Sequence, residues 1–124
     1  MNLVDSSAWL EYFANGPNSG FFAPAVEEIG DLLIPTICLL EVFKRVLQQR
    51  GEGAALQAVA QMQQGQVADL DAALALSAGR ISHDLKLPLA DSVILATARS
   101  RGAVIWTQDA DFAKIPGVKY VPKR

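Results

Sequence analysis

Four acids stand in apolar company that acids ordinarily avoid. Asp5 follows Leu3-Val4, and Glu41 lies within Ile37-Cys38-Leu39-Leu40-Glu41-Val42-Phe43. Asp91 lies within Leu87-Pro88-Leu89-Ala90-Asp91-Ser92-Val93-Ile94-Leu95-Ala96, and Asp109 follows Val104-Ile105-Trp106-Thr107-Gln108. Burying a carboxylate is costly unless a cation or strong hydrogen-bond donors compensate. Each acid also has an ordinary structural use. Asp5 and Asp109 can cap the helices that follow them, and Glu41 can pair with Lys44 or Arg45 three and four residues on. Asp91 can be a cap as well, but its helical neighbours Leu87, Ile94, Leu95 and Ala98 are apolar, and no lysine or arginine lies within one turn of it. If the four converge, they cannot all stay ionised unaided. A hard divalent ion such as Mg²⁺ or Mn²⁺ resolves this, because it prefers carboxylate oxygen. Two such ions ~3.5–4 Å apart can activate a water and stabilise the leaving oxygen of a phosphodiester.

Convergence is a matter of the elements. Met1–Val4 reads as a strand ending at Asp5, followed by a helix that Ser6 or Ser7 can cap and that carries Ala8, Trp9, Tyr12 and Phe13 at helical spacing. Asn15-Gly16-Pro17-Asn18-Ser19-Gly20 breaks the chain before a helix over Phe21–Ile29. Leu32–Ile34 is a second strand, and Pro35-Thr36 closes it, with Thr36 placed to cap a helix from Ile37 to about Gln49 ahead of Gly51. A helix over Ala54–Gln63, a short strand within Gly65–Leu70 and a long helix capped by Asp71 and running through Asp84 follow. Pro88 resets the chain for a helix from Leu89 to Ser100, ended by Gly102. Its apolar residues surround most of its circumference, which predicts a central place in the fold. Ala103–Trp106 is a third strand, followed by a short helix at Asp109–Lys114 and a last strand at Gly117–Val121.

Strands separated by helices predict an α/β sandwich, a mainly parallel sheet with helices on both faces. Reactive groups in such sheets gather at the carboxyl ends of the strands. Asp5 and Asp109 each follow a strand there, and Glu41 and Asp91 lie in early turns of helices that border the same edge, although up to 104 positions separate them.

The composition fits one domain spanning residues 1–124, with 51% hydrophobic and 19% charged residues. No apolar run approaches a membrane span and no signal-peptide pattern opens the chain, so the expected setting is cytoplasmic. The single Cys38 and single His83 exclude a disulfide framework and a cysteine- or histidine-rich metal site. Cys38 reads as a core residue, His83 as a surface or helix-end histidine, and Trp9, Trp106 and Phe21-Phe22 as core or dimer contacts. Eleven basic against thirteen acidic residues give a net charge of −2, which does not attract a polyanion. Assigning four of those acids to metal leaves nine and turns the protein balance to +2. Lys44, Arg45 and Arg50 on one helix, and Arg99, Arg101, Lys114, Lys119, Lys123 and Arg124 near the end, are then available for phosphate contacts.

At its acids the sequence resembles the PIN-domain family, and within it the small VapC-type toxins, over essentially the whole chain. Leu3-Val4-Asp5-Ser6-Ser7 is similar to the family's first motif, and Glu41, after Ile34-Pro35-Thr36, matches its glutamate. Leu89–Ala98 is close to the third motif, and Thr107-Gln108-Asp109-Ala110-Asp111-Phe112 resembles the closing Thr-x-Asp-x-Asp-Phe segment. The resemblance implies a PIN-like three-layer sandwich and a Mg²⁺- or Mn²⁺-dependent endoribonuclease with one or two ions per site. It further implies a homodimer silenced by a cognate antitoxin. Asp5, Glu41, Asp91 and Asp109 would be the metal-binding and catalytic carboxylates, with Ser6, Ser7 and Thr107 as supporting hydroxyls. Asp111 would be a supporting or merely solvated acid, Asp109 lying nearer the strand end. Two other readings compete: a PIN-like binding module without activity, and an aspartate-nucleophile phosphatase. The phosphatase ordinarily has a second aspartate where this chain has Ser7.

Overall fold

The computed structural model describes residues 1–124. Five strands form one sheet: β1 (Asn2–Val4), β2 (Leu32–Pro35), β3 (Gln66–Ala68), β4 (Val104–Thr107) and β5 (Lys119–Tyr120), in the order β3-β2-β1-β4-β5. Every pairing is parallel, with Leu3 opposite both Leu33 and Ile105. Successive strand residues point to opposite faces. Leu3 and Val4 are both fully buried, as are Leu33 and Ile34, so both faces of the sheet's centre are covered. The expected three-layer arrangement is present.

The helices are α1 (Ser6–Phe13), α2 (Ser19–Glu27), α3 (Thr36–Arg50), α4 (Glu52–Met62), α5 (Ala72–Leu85) and α6 (Leu89–Arg101). As its apolar circumference predicts, α6 is central, and Ile94, Leu95, Ala96 and Ala98 are buried on it together with Ser92 and Thr97. The two hydroxyls turn back onto their own helix, Ser92 Oγ donating to the Pro88 carbonyl at 2.9 Å and Thr97 Oγ1 to the Val93 carbonyl at 2.7 Å. This satisfies them without disturbing the packing.

Several local expectations need correction. Of the two expected sources of a cap for α1, Ser6 or Ser7 is not used, and Asp5 is, accepting a hydrogen bond from the Ala8 N–H at 2.9 Å. Pro35 precedes α3 as its cap and Thr36 is already helical, because proline supplies extended backbone but no side-chain acceptor. The short helix after Asp109 is a single 3₁₀ turn, Ala110–Phe112. The last strand is reduced to Lys119–Tyr120, since it pairs on one side only. Asp71 caps α5 as expected, its carboxylate accepting from the Leu74 N–H at 2.8 Å.

Cys38 is fully buried and Trp9 is 1% exposed, both in the core. Phe22 joins them, while Phe21 is partly exposed and lies against Trp106. His83 is exposed and pairs with Asp84. No helix is long and apolar enough to cross a membrane.

Candidate functional site

Parallel pairing puts the carboxyl ends of β1, β2 and β4 along one edge, so the residues that follow these strands meet there. Asp5 comes directly after β1. Helix α6 leads back into β4, which brings its first turn, with Asp91, to the edge where β4 ends. Asp109 follows β4 by two residues and caps the 3₁₀ turn, accepting from the Asp111 N–H at 2.9 Å. Glu41 lies on the second turn of α3, which leaves β2 at the same edge.

Asp5 is 2% exposed and held on every side. Ser7 Oγ donates to Oδ1 at 2.7 Å, the Ala8 N–H joins it, and the Thr107 hydroxyl donates to Oδ2. Thr107 in turn accepts from the Asp109 N–H at 2.8 Å, so one buried hydroxyl ties the two strand-end acids together. Burial outweighs these donors and raises the Asp5 carboxyl to about 6. Capping and membership of the acidic site are thus one role for Asp5.

Asp91 is half-buried, and its carboxyl is pushed up to about 8, first by desolvation and then by the charge of Asp109 and the neighbouring Asp111. Asp91, Asp109 and Asp111 each offer a carboxylate oxygen within 4.8 Å of the others. The exposed Asp111, read from the sequence as the lesser of the two late acids, therefore stands in the tightest group. Asp5 is close enough to add to the charge on Asp91. Glu41 makes no ion pair with Lys44 or Arg45; it accepts from Ser6 Oγ at 2.7 Å across the start of α1.

Asp5, Glu41, Asp91 and Asp109 all line one open cleft of ≈ 1150 Å³. The donor set is wholly oxygen, without sulfur or nitrogen, and burial raises the carboxyls of Asp5 and Asp91 within it. Both properties suit a hard divalent cation with part of its water retained.

Two polar residues were not singled out in the sequence. Asn18, 3% exposed, donates through Nδ2 to Gln108 Oε1 at 2.9 Å and to the Pro122 carbonyl at 3.0 Å. Gln108 is also buried, and its backbone N–H reaches Ser7 Oγ at 3.3 Å. Together they brace the acidic edge from behind. Asn18 stands in a run of loop-forming residues, where a polar side chain carries no sign of burial.

Comparison with the curated proteins returns no match. Among solved structures the fold is similar to that of a toxin–antitoxin complex from Klebsiella pneumoniae, at 22% identity, 95% coverage of each chain and a TM-score of 0.80. It is also similar to VapC20 of Mycobacterium tuberculosis, described as a toxin that cleaves the sarcin–ricin loop, at 21% identity, 96% and 98% coverage and a TM-score of 0.78. A DNA-bound VapBC from Salmonella typhimurium aligns at 21% identity, 98% of each chain and a TM-score of 0.71. At these identities the likeness is one of fold. The sequence itself matches the model of the PIN domain over residues 3–118, a span that takes in the sheet's three central strands and all of the clustered acids. The chain belongs to the PIN-domain family.

Proposed function

We propose that this chain is a Mg²⁺- or Mn²⁺-dependent endoribonuclease, the toxin of a toxin–antitoxin pair, acting in the cytoplasm as one domain over residues 1–124. On this reading it forms a homodimer and is neutralised by a cognate antitoxin. The observation that carries the reading is the gathering of Asp91, Asp109 and Asp111 within 4.8 Å, with Asp91 and Asp109 lining the same cleft as Asp5 and Glu41. Carboxylates this close repel one another, and a cation held between them relieves that repulsion. The similarity in fold to toxins solved with their antitoxins supports the biological setting.

Asp5, Glu41, Asp91 and Asp109 would hold one or two ions, and Asp111 stands close enough to share in this. When bound, the ion supplies a water of lowered pKa and offsets charge on the phosphodiester. The chain's own part is to fix the donors. Thr107 and Ser7 hold both oxygens of Asp5, and Ser6 orients Glu41. The deeply buried Asp5 and the half-buried Asp91 limit the water that can compete at the centre.

The test is cleavage of RNA by the purified, antitoxin-free protein with Mg²⁺ or Mn²⁺ and with EDTA. Activity should require the metal, and Asp5→Asn and Asp91→Asn should each reduce it to background with the circular dichroism spectrum unchanged. Wild-type activity in both variants, or indifference to EDTA, would overturn the assignment.

A further inference from the structure

Besides the clustered acids, the cleft is lined by Glu11, whose carboxylate is held by the Asn18 N–H, and by cations from two parts of the chain. On the β2 side, α3 and α4 contribute Lys44, Arg45 and Arg50 with the amides of Gln57 and Gln61. On the β5 side the cleft is bounded by Lys123. Two strands, β1 and β4, lie between β2 and β5, which are therefore ~14 Å apart at the usual strand spacing.

Lys123 is exposed, but the chain leading to it is fixed. After β5 the Val121 N–H donates to the Thr107 carbonyl at 3.1 Å. The next residue, Pro122, accepts from the buried Asn18 at 3.0 Å. Asn18 is itself anchored, its backbone N–H donating to Glu11 Oε2 at 2.7 Å. Both amide protons of Asn18 are thereby used, one on Gln108 and one on Pro122. The latch ends one residue before Lys123.

None of these cations is neutralised within the protein. The ion pairs present are Met1 with Asp31 and His83 with Asp84. The side chains of Gln57 and Gln61 are exposed at the cleft, and each offers two donors and an acceptor. Charge without partners on both sides suits a polyanion. Exposed amides beside it suit base edges, and these are open to such contact in an unpaired strand.

We propose that Lys123, on the latched segment that follows β5, holds a phosphate of the single-stranded RNA substrate on the β5 side of the scissile bond. Gln57 and Gln61 contact bases on the α4 side. The proposal rests on the nuclease reading above, and Lys123 acts in it as a phosphate-positioning residue.

The experiment follows binding and turnover of labelled RNA, a mixed sequence both single-stranded and pre-annealed to its complement and a set of single-stranded homopolymers, over a salt series. Binding is read by fluorescence anisotropy in EDTA, where nothing is cleaved. Lys123→Ala should weaken single-strand binding several-fold and lower its log–log salt slope by ~0.7, the value for one phosphate on a single strand. In turnover with Mg²⁺ or Mn²⁺ it should raise KM by a larger factor than it changes kcat, and Lys123→Arg should restore both KM and slope. Gln57→Ala with Gln61→Ala should alter preference among homopolymers without changing the slope. An unchanged slope in Lys123→Ala, or duplex bound as tightly as single strand, overturns the proposal. Absence of cleavage by the wild-type protein would overturn the nuclease reading, and the binding arm would still decide the role of Lys123.

Discussion

At the residue scale, the decisive feature is a pair of acids whose protons are held more tightly in the folded chain than in water. Asp5 is raised to about 6 and Asp91 to about 8, both by burial first. A group of this kind contributes stability that is full below its unfolded pKa, near 3.8, and lost as pH rises through the folded value. In EDTA the melting temperature should therefore fall from about pH 4 to about pH 8, and Asp91→Asn should flatten that fall and raise the value at the alkaline end. A metal-free melting temperature that climbs over this interval would contradict the burial of both groups. Thr107 presents a different case, since one hydroxyl serves Asp5 and the Asp109 N–H together. Thr107→Val should lower cleavage by ~10–100-fold, the usual cost of an outer partner to a metal ligand, with Thr107→Ser recovering most of it in the same assay.

At the element scale, glycine positions separate space from strain. A Cβ on Gly65, ahead of β3, would stand 2.9 Å from the Leu32 carbonyl and 3.1 Å from the Ile34 side chain, both in the sheet's interior. Gly79, inside α5, would meet nothing within 4 Å. Gly65→Ala should destabilise by ~1–3 kcal/mol through overpacking, whereas Gly79→Ala should stabilise by ~0.5–1 kcal/mol, as measured by urea denaturation. Asn18→Ala leaves Gln108 and the Pro122 carbonyl short of a donor and should cost ~1–3 kcal/mol. It should also carry over the KM defect of Lys123→Ala, because it frees the segment that places that lysine. The order of elements was legible in the sequence from alternating short apolar runs and amphipathic helices, and the apolar settings of Asp5 and Asp91 pointed to the site. Caps were less legible: Ser6, Ser7 and Asp5 are adjacent and all have the right chemistry, and only backbone geometry selects Asp5. The Asn18–Gln108–Pro122 link joins residues up to 104 positions apart and involves a carbonyl, which every residue has, so no pattern of side chains announces it. The closeness of Asp111 to Asp91 and Asp109 is hidden for a related reason, since alternation along a chain says little about a 3₁₀ turn that folds two acids toward a third.

At the scale of the whole molecule, the net charge of −2 conceals a local pattern, with Asp5, Glu41, Asp91 and Asp109 gathered at one cleft that unpaired cations also line. Binding of Mg²⁺ or Mn²⁺ at that edge should stabilise the whole fold, because an ion held by the folded chain alone adds ~2.7 kcal/mol at a hundred times its Kd. For a domain of this size that corresponds to a rise of ~10 °C in melting temperature, which differential scanning fluorimetry would detect and which Asp91→Asn should abolish. A melting temperature indifferent to either ion in the wild-type protein would place the metal elsewhere. The parallel sheet has one more consequence, for the order of events during synthesis. Its central pair joins the first strand to one that begins at Val104, and the latch on Asn18 waits for Pro122. A chain still emerging from the ribosome, or clipped before Asp109, lacks part of the acidic group whatever the state of its earlier helices. An activity of the kind proposed is thus withheld until the ribosome has passed Asp109 and Asp111, however early the helices before them form.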